Sequence, residues 1–547
     1  MKTFIFLFKN LSKKLRFLLL VVFVFLSCNQ RKSAILSQKD EAPPADYYKS
    51  DYIEREEKSK IKDDGVDPDV VHNTEDYNKI NENKFLSAKT NPLSTFSVDV
   101  DRASYSNCRR FLNMSQLPPT DAIRIEEFVN YFDYSYKQPT DDLPFAVHLD
   151  LANCLWKDGR YLLRIAIKGK EVEVKNLPAS NIVFLIDCSG SMSAENKLPL
   201  LQKSFEVLLE KLRPQDKVAI VAYAGAAGLV LPSTPCTDKE KISKALNSIN
   251  SGGSTAGGEG ILLAYKIAKE NFIQNGNNRI ILATDGDFNV GVSSDSELER
   301  LIEDKRKEGV FLTVLGFGMG NYKDNKMEIL ADKGNGNYAY IDNILEAQKI
   351  LGKEIWGTIY TIAKDVKIQI EFNPSFVKAY RLIGYENRLL SKEDFDDDAK
   401  DAGDIGSGHT VTAFYEIIQA SSNEKFNDSD NLEYQTSTTV KSENLMTFKL
   451  RYKTPNENTS KLIEKRVKES DLKKDVIDED FKFAAAVAEF GMLLRKSEFK
   501  GNSTYDGVIA LAKNSFSKDD DGTKADFLRL VKIAATLDKT TSSKEHE

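Results

Sequence analysis

Histidine, tryptophan and cysteine are scarce in this 547-residue chain, at four, two and five residues. His72, His148, His409 and His546 are widely separated, and no Cys/His cluster has zinc-ligand spacing. Four of the cysteines, Cys108, Cys154, Cys188 and Cys236, are spread too thinly for a disulfide scaffold, although one bridge among them remains open. No GxSxG elbow is present, and neither His148 on a strand's polar face nor His409 after a glycine loop is placed as a nucleophile's base, which argues against a serine hydrolase. A phosphate-cradling GxxxxGK(S/T) is also missing, so no nucleotide is expected. The 83 acidic side chains outnumber the 76 basic ones and no basic block follows the N-terminus, so nucleic acid is not an expected partner. No apolar run reaches the ~18 residues of a membrane-spanning helix.

What the N-terminus does have is Lys2, Lys9, Lys13, Lys14 and Arg16 ahead of "FLLLVVFVFL" (17–26), the pattern of an export signal. The run ends at Ser27-Cys28 and resembles a bacterial lipobox. That resemblance implies lipidation of Cys28 and a chain anchored in the bacterial cell envelope, on its periplasmic or cell-surface side. Residues 29–85, polar and charged, cannot bury enough apolar surface to offset chain entropy and read as a flexible tether.

Beyond the tether the hydrophobic period changes twice. In 86–178, "FAVHLDL" and "YLLRIAI" alternate, which predicts half-buried strands joined as a hairpin through "WKDGR". Between 179 and 357 the apolar runs lose alternation: 182–186, 217–223, 279–284 and 310–318 read as strands buried on both faces. Helical stripes lie between them, one carrying Leu198, Leu201, Phe205, Leu208 and Leu212, with others at 238–249, 258–272, 295–307 and 343–355. This is the pattern of an α/β fold, a doubly wound, mostly parallel sheet with helices on both faces. In 358–547 alternation returns at 366–372, 410–418 and 446–452, and a helical segment runs from about 479 to 537. We expect the strands on either side of the α/β unit to pair into one β-sandwich, with that unit as an insertion.

Three loops of the α/β unit carry the chemistry. "IVFLI" ends in Asp187, Ser189 and Ser191; "RIILAT" ends in Asp285; between them "SGGSTAGGEG" brings Thr255 to the start of a helix. In a doubly wound sheet, ligands bind beyond the carboxyl ends of the strands. Two carboxylates held together repel unless a cation compensates them, and oxygen donors select a hard divalent ion. The neutral hydroxyls leave such an ion able to attract an external carboxylate. Cys188, between two of these residues, is a soft donor and reads as a packed side chain, while Glu259 and Asp287 lie close enough in sequence to support the site and read equally well as solvent-exposed loop acids.

"DCSGS", the loop threonine and "TDGD" resemble the metal-ion-dependent adhesion site, DxSxS…T…D, of the von Willebrand factor type A family. The resemblance implies that Asp187, Ser189, Ser191, Thr255 and Asp285 bind Mg²⁺, with Mn²⁺ or Ca²⁺ as alternatives, directly or through water. It further implies that an exposed Asp or Glu of a protein partner completes the ion's ligands. "TFSVDVDRASYSNCRRFL", "RIEEFVNYF" and "DAGDIGSGHTVTAFYEI" resemble the flanks of exported bacterial A-domain lipoproteins. The expectation is an envelope-anchored, non-enzymatic binding protein; the alternative is an envelope-assembly factor that recognises partners through its β-rich flanks. A minor reading is a metal-dependent hydrolase, because "SVDVDRAS" has the DxD of haloacid-dehalogenase-type phosphatases. There Ala103 replaces the hydroxyl or valine, and Asp99 and Asp101 read better as the polar face of a strand carrying Phe96, Val98 and Val100. "KDDDGTKADF" places Leu528 where a calcium loop needs Glu, so it reads as a helix cap.

Overall fold

A computed structural model describes residues 75–255, 257–286, 295–426, 442–472 and 476–544. The export signal, Cys28, the tether as far as residue 74 and Asp287 lie outside the described residues. In chain order the first elements are β1 (Leu86–Ser87), β2 (Leu93–Ser97), α1 (Ala103–Asn113), α2 (Ile125–Asn130), β3 (Phe145–Asn153) and β4 (Arg160–Gly169). There follow β5 (Ser180–Asp187), α3 (Leu198–Lys211), β6 (Lys217–Tyr223), β7 (Ala227–Pro235), α4 (Lys239–Asn247), α5 (Gly257–Glu270), β8 (Asn277–Thr284), α6 (Asp295–Lys307), β9 (Val310–Phe317), α7 (Asp324–Lys333) and β10 (Tyr338–Ile341). After short helical turns come β11 (Thr361–Phe372), β12 (Val377–Ile383), β13 (Gly403–Gly406), β14 (Thr410–Gln419), β15 (Asn444–Lys453) and β16 (Lys461–Lys468). Helices α8 (Glu479–Leu494), α9 (Tyr505–Lys513) and α10 (Thr523–Lys544) complete the described chain.

The central sheet has the order β10-β9-β8-β5-β6-β7 and is parallel except for β7. Its middle strand divides its side chains between two cores. Ile182, Phe184 and Ile186 pack with α3 and α4, while Val183 and Leu185 pack with α5, α6 and α7. The apolar runs lack alternation because both faces are covered. Pro199 is tolerated in α3 because it falls in the first turn, where its missing N–H has no intrahelical partner to lose.

The other strands form two antiparallel sheets, β1-β12-β14-β4-β3 and β13-β11-β15-β16, with β2 added to β11. Each sheet takes strands from both sides of the α/β unit: β4 pairs β14, and β2 pairs β11. The sheets share one core that includes Leu163, Ile165, Ile167, Ile368 and Phe448, so the α/β unit is inserted into a sandwich.

Three expectations are corrected. Strand β3 is half-buried as expected, but β4 is buried on both faces: Leu162 on its second face joins a further core with α1, α2, α8 and α10, and those helices exclude water from it. The single helix expected at 343–355 is broken into Ile344–Ala347, a wide turn over Gln348–Lys353 and Ile355–Ile359, and Gly352, a poor helix former, lies in the wide turn. Residues 75–85, polar enough to read as tether, hold onto the folded body, where Glu75 takes both terminal nitrogens of Arg110 at 2.8 Å and Asn83 donates to the Gly384 carbonyl at 2.7 Å.

Candidate metal centre

The chain leaves β5 toward β6 and β7 on one side and returns to β8 on the other, so the winding of the central sheet reverses between β5 and β8. In a doubly wound sheet that point, beyond the carboxyl ends of the strands, is where ligands bind. Asp187 is the last residue of β5, and Asp285 follows Thr284, the last residue of β8; Ile186 and Ala283 are register partners on these adjacent strands. Asp187 and Asp285 are both fully buried.

Backbone bonds gather the loops. Gly190 N–H donates to the Gly253 carbonyl at 3.0 Å and Gly252 N–H to the Cys188 carbonyl at 2.8 Å, which ties the Thr255 loop to the DCSGS loop. Ser189 donates its N–H to Asp187 Oδ1 at 2.9 Å, and its Oγ lies 3.1 Å from Ser191 Oγ. Thr284 Oγ1 donates to Asp187 Oδ2 at 3.0 Å. Gly286 has φ +98°, and a Cβ there would stand 2.5 Å from the Lys323 nitrogen, so the glycine after Asp285 is needed for the turn.

The two carboxylates are shifted in opposite directions. Burial raises the pKa of Asp187, and the charge on Asp285 adds to this against the opposing bonds from Ser189 and Thr284. Asp285 is also buried, but Lys197, Ser191 and Asn321 outweigh desolvation and hold its pKa below the usual range. Lys197 Nζ lies 2.8 Å from Asp285 Oδ2, and Asn321 Nδ2 donates to the same oxygen at 3.2 Å. The lysine stem is held in place by Gly318, at φ +74°, where any Cβ would overlap it.

Lys197 and Asn321 escape sequence reasoning. A lysine preceding an apolar helix looks like ordinary surface, and Asn321 lies in a loop with no motif. Cys188 donates its thiol to the Tyr223 carbonyl at 3.3 Å, packs against the core and has its pKa raised by burial. Glu259 is exposed in the first turn of α5. Among the described residues no three His, Cys, Asp or Glu side chains gather as a metal cluster. Asp187, Ser189, Ser191 and Asp285 meet at the strand ends, the Thr255 loop is tied to them through its backbone, and the five candidate residues offer two carboxylates and three hydroxyls. All five are hard oxygen donors, and two buried carboxylates with one lysine leave net negative charge, a fit for a hard divalent cation.

Asp99 and Asp101 are engaged elsewhere. Asp101 accepts the Tyr338 N–H at 2.8 Å, and both carboxylates pair with Arg388, at 3.0 and 3.1 Å. They tie the segment before α1 to the α/β unit and are not the open face of a strand. Asp519 caps α10 through the N–H groups of Lys524 and Ala525, at 3.0 and 2.8 Å. Cys108, Cys154, Cys188 and Cys236 are all free thiols.

Residues 181–353 match the family model "von Willebrand factor type A domain", residues 71–164 match "von Willebrand factor", and residues 357–537 match "Uncharacterized protein YfbK, C-terminal". The chain is 43% identical over 469 residues to YfbK of Escherichia coli K12, covering 84% of this chain and 80% of that one. It is 29% identical over 180 residues to inter alpha-trypsin inhibitor heavy chain 4 of Mus musculus, covering 31% of this chain and 19% of that protein. Among solved structures, a von Willebrand factor type A protein from Catenulispora acidiphila aligns with 70% of this chain and 89% of its own, at 14% identity and a TM-score of 0.39. An A-domain of this kind gives the chain a protein-interaction or adhesion role. With an A-domain set between its two flanking regions, this chain belongs to the YfbK family.

Proposed function

We propose that Asp187, Ser189, Ser191, Thr255 and Asp285 hold a divalent cation, Mg²⁺ by preference, and that the A-domain uses it to capture a carboxylate of a protein partner. The observation that carries this reading is the pair of buried carboxylates at adjacent strand ends, surrounded by hydroxyls at the point where the sheet's winding reverses. When bound, the ion supplies Lewis acidity toward an incoming carboxylate oxygen. The residues of the chain do the rest. Ser189 N–H orients Asp187, Thr284 fixes its second oxygen, and Lys197 with Asn321 fixes Asp285.

Lipidation at Cys28 would anchor this module in the envelope, with the segment before residue 75 spacing it from the membrane. Capture from envelope extract by wild type and Asp285→Ala, each with Mg²⁺ and with chelator, tests the binding reading. Partners retained only by wild type with Mg²⁺ are expected; identical partners in all four samples would assign recognition to the β-rich flanks. Cys28→Ser should abolish incorporation of labelled palmitate and release the protein from membranes.

A further inference from the structure

A cavity of about 1210 Å³ lies where the inserted A-domain meets the sandwich, lined by both chain crossings, 171–174 and 357–361. Most charges on its walls are neutralised by a neighbour: Arg102 by Glu354, Lys353 by Asp133, and Arg388 by Asp99 and Asp332. Two are not. Arg279, near the start of β8, is 1% exposed; its Nη1 donates to Thr313 Oγ1 at 2.7 Å and its Nε has no partner. No carboxylate stands at ion-pair distance from it among the described residues. Burial lowers its pKa to about 10 against the attraction of Asp404 across the cavity, so it remains charged at neutral pH.

Asp404, on β13 of the sandwich, accepts the Asp365 N–H at 3.2 Å and the Thr361 hydroxyl at 3.4 Å, and no Lys or Arg stands at ion-pair distance among the described residues. Burial and the neighbouring Asp365 push its carboxyl up to about 7. A buried guanidinium without a counter-ion is costly, and a half-buried carboxyl without a cation adds a smaller cost. One cavity therefore holds a positive group of the A-domain and an acid of the sandwich, neither in a contact ion pair among the described residues, that attract each other at longer range.

We propose that this cavity binds a small dipolar ion, an α-amino acid or short peptide, with its carboxylate on the fork of Arg279 and its ammonium on Asp404. The planar guanidinium matches a carboxylate in bidentate geometry. The volume exceeds what one amino acid needs and suits a few residues. Because Arg279 and Asp285 stand at opposite ends of β8, the assignment is independent of the metal reading.

Calorimetric titration of the full chain with trialanine, trialanine amide, N-acetyl-trialanine and inorganic phosphate tests it. Trialanine is expected to bind, and removing either of its charges should weaken binding about tenfold or more, the loss of one charge-assisted contact. Arg279→Met should no longer distinguish trialanine from its amide, and Asp404→Asn should no longer distinguish it from the N-acetyl form. Because Arg279→Met removes an unpaired buried charge, it should melt no lower than wild type, and loss of binding there cannot be ascribed to misfolding. Absence of trialanine binding by wild type, phosphate binding as tight as trialanine, or unchanged affinity in both variants would overturn the proposal.

Discussion

Lys197 places a positive charge 2.8 Å from Asp285, on the same side chain that would face a bound cation. A divalent ion then enters a site of net charge −1 instead of −2, which weakens its binding but leaves the loaded site at +1 and more attractive to a carboxylate. Lys197→Met should therefore bind Mg²⁺ about tenfold more tightly, as the loss of a like charge a few ångströms away implies. The same variant should bind acetate to its loaded form more weakly, and calorimetry reads both effects. Unchanged Mg²⁺ affinity would show that Lys197 does not bear on the ion. Gly286 offers a test of architecture without charge. Gly286→Ala forces a Cβ to 2.5 Å from the Lys323 nitrogen at φ +98°, and a stability loss of about 1–3 kcal/mol is expected by urea denaturation.

At the scale of elements, the A-domain is fixed to its flanks by buried ion pairs. Arg388 reaches Asp99, Asp101, Glu328 and Asp332 at 2.6 to 3.2 Å, and Arg124 reaches Asp324 at 2.5 Å and Glu328 at 2.9 Å. Arg388→Met leaves those carboxylates facing one another and should cost about 3–5 kcal/mol, read as a lower denaturation midpoint. Helix α8 carries a separate pH signature. Burial raises the pKa of Glu489 from 4.5 to about 7 against the Ser503 hydroxyl. The folded state holds this proton more tightly than the unfolded chain, so its contribution is full below pH 4.5 and is lost as pH rises through about 7. Glu489→Gln should flatten that slope and leave the variant more stable than wild type above pH 7, by at most about 3 kcal/mol.

These elements also show what could be read from the chain. Strands β5, β6, β8 and β9 were legible because both faces are apolar, and α3 because its stripe recurs every three to four residues. Strand β7 was not legible, since as an edge strand it exposes Leu229 and Val230. Strand β10 is only Tyr338–Ile341, and α7 buries Asp324 and Glu328 against Arg124, so its inward face does not look apolar. Of the candidate site, the five motif residues follow from spacing, whereas Lys197 and Asn321 reach it through tertiary packing that no local pattern records.

Across the whole molecule, a sandwich assembled from both sides of the insertion clamps the A-domain at its far edge, where Ser106 of α1 donates to the Tyr340 carbonyl of β10 at 2.8 Å. That attachment lies away from the β5/β8 carboxyl ends that carry the candidate metal centre. Calorimetric titration of Mg²⁺ into the full chain and into Asp187→Ala tests the central claim most directly. A saturable one-site isotherm for wild type that is lost in the variant is the predicted result. No saturable heat with wild type, or the same isotherm from both proteins, would contradict it.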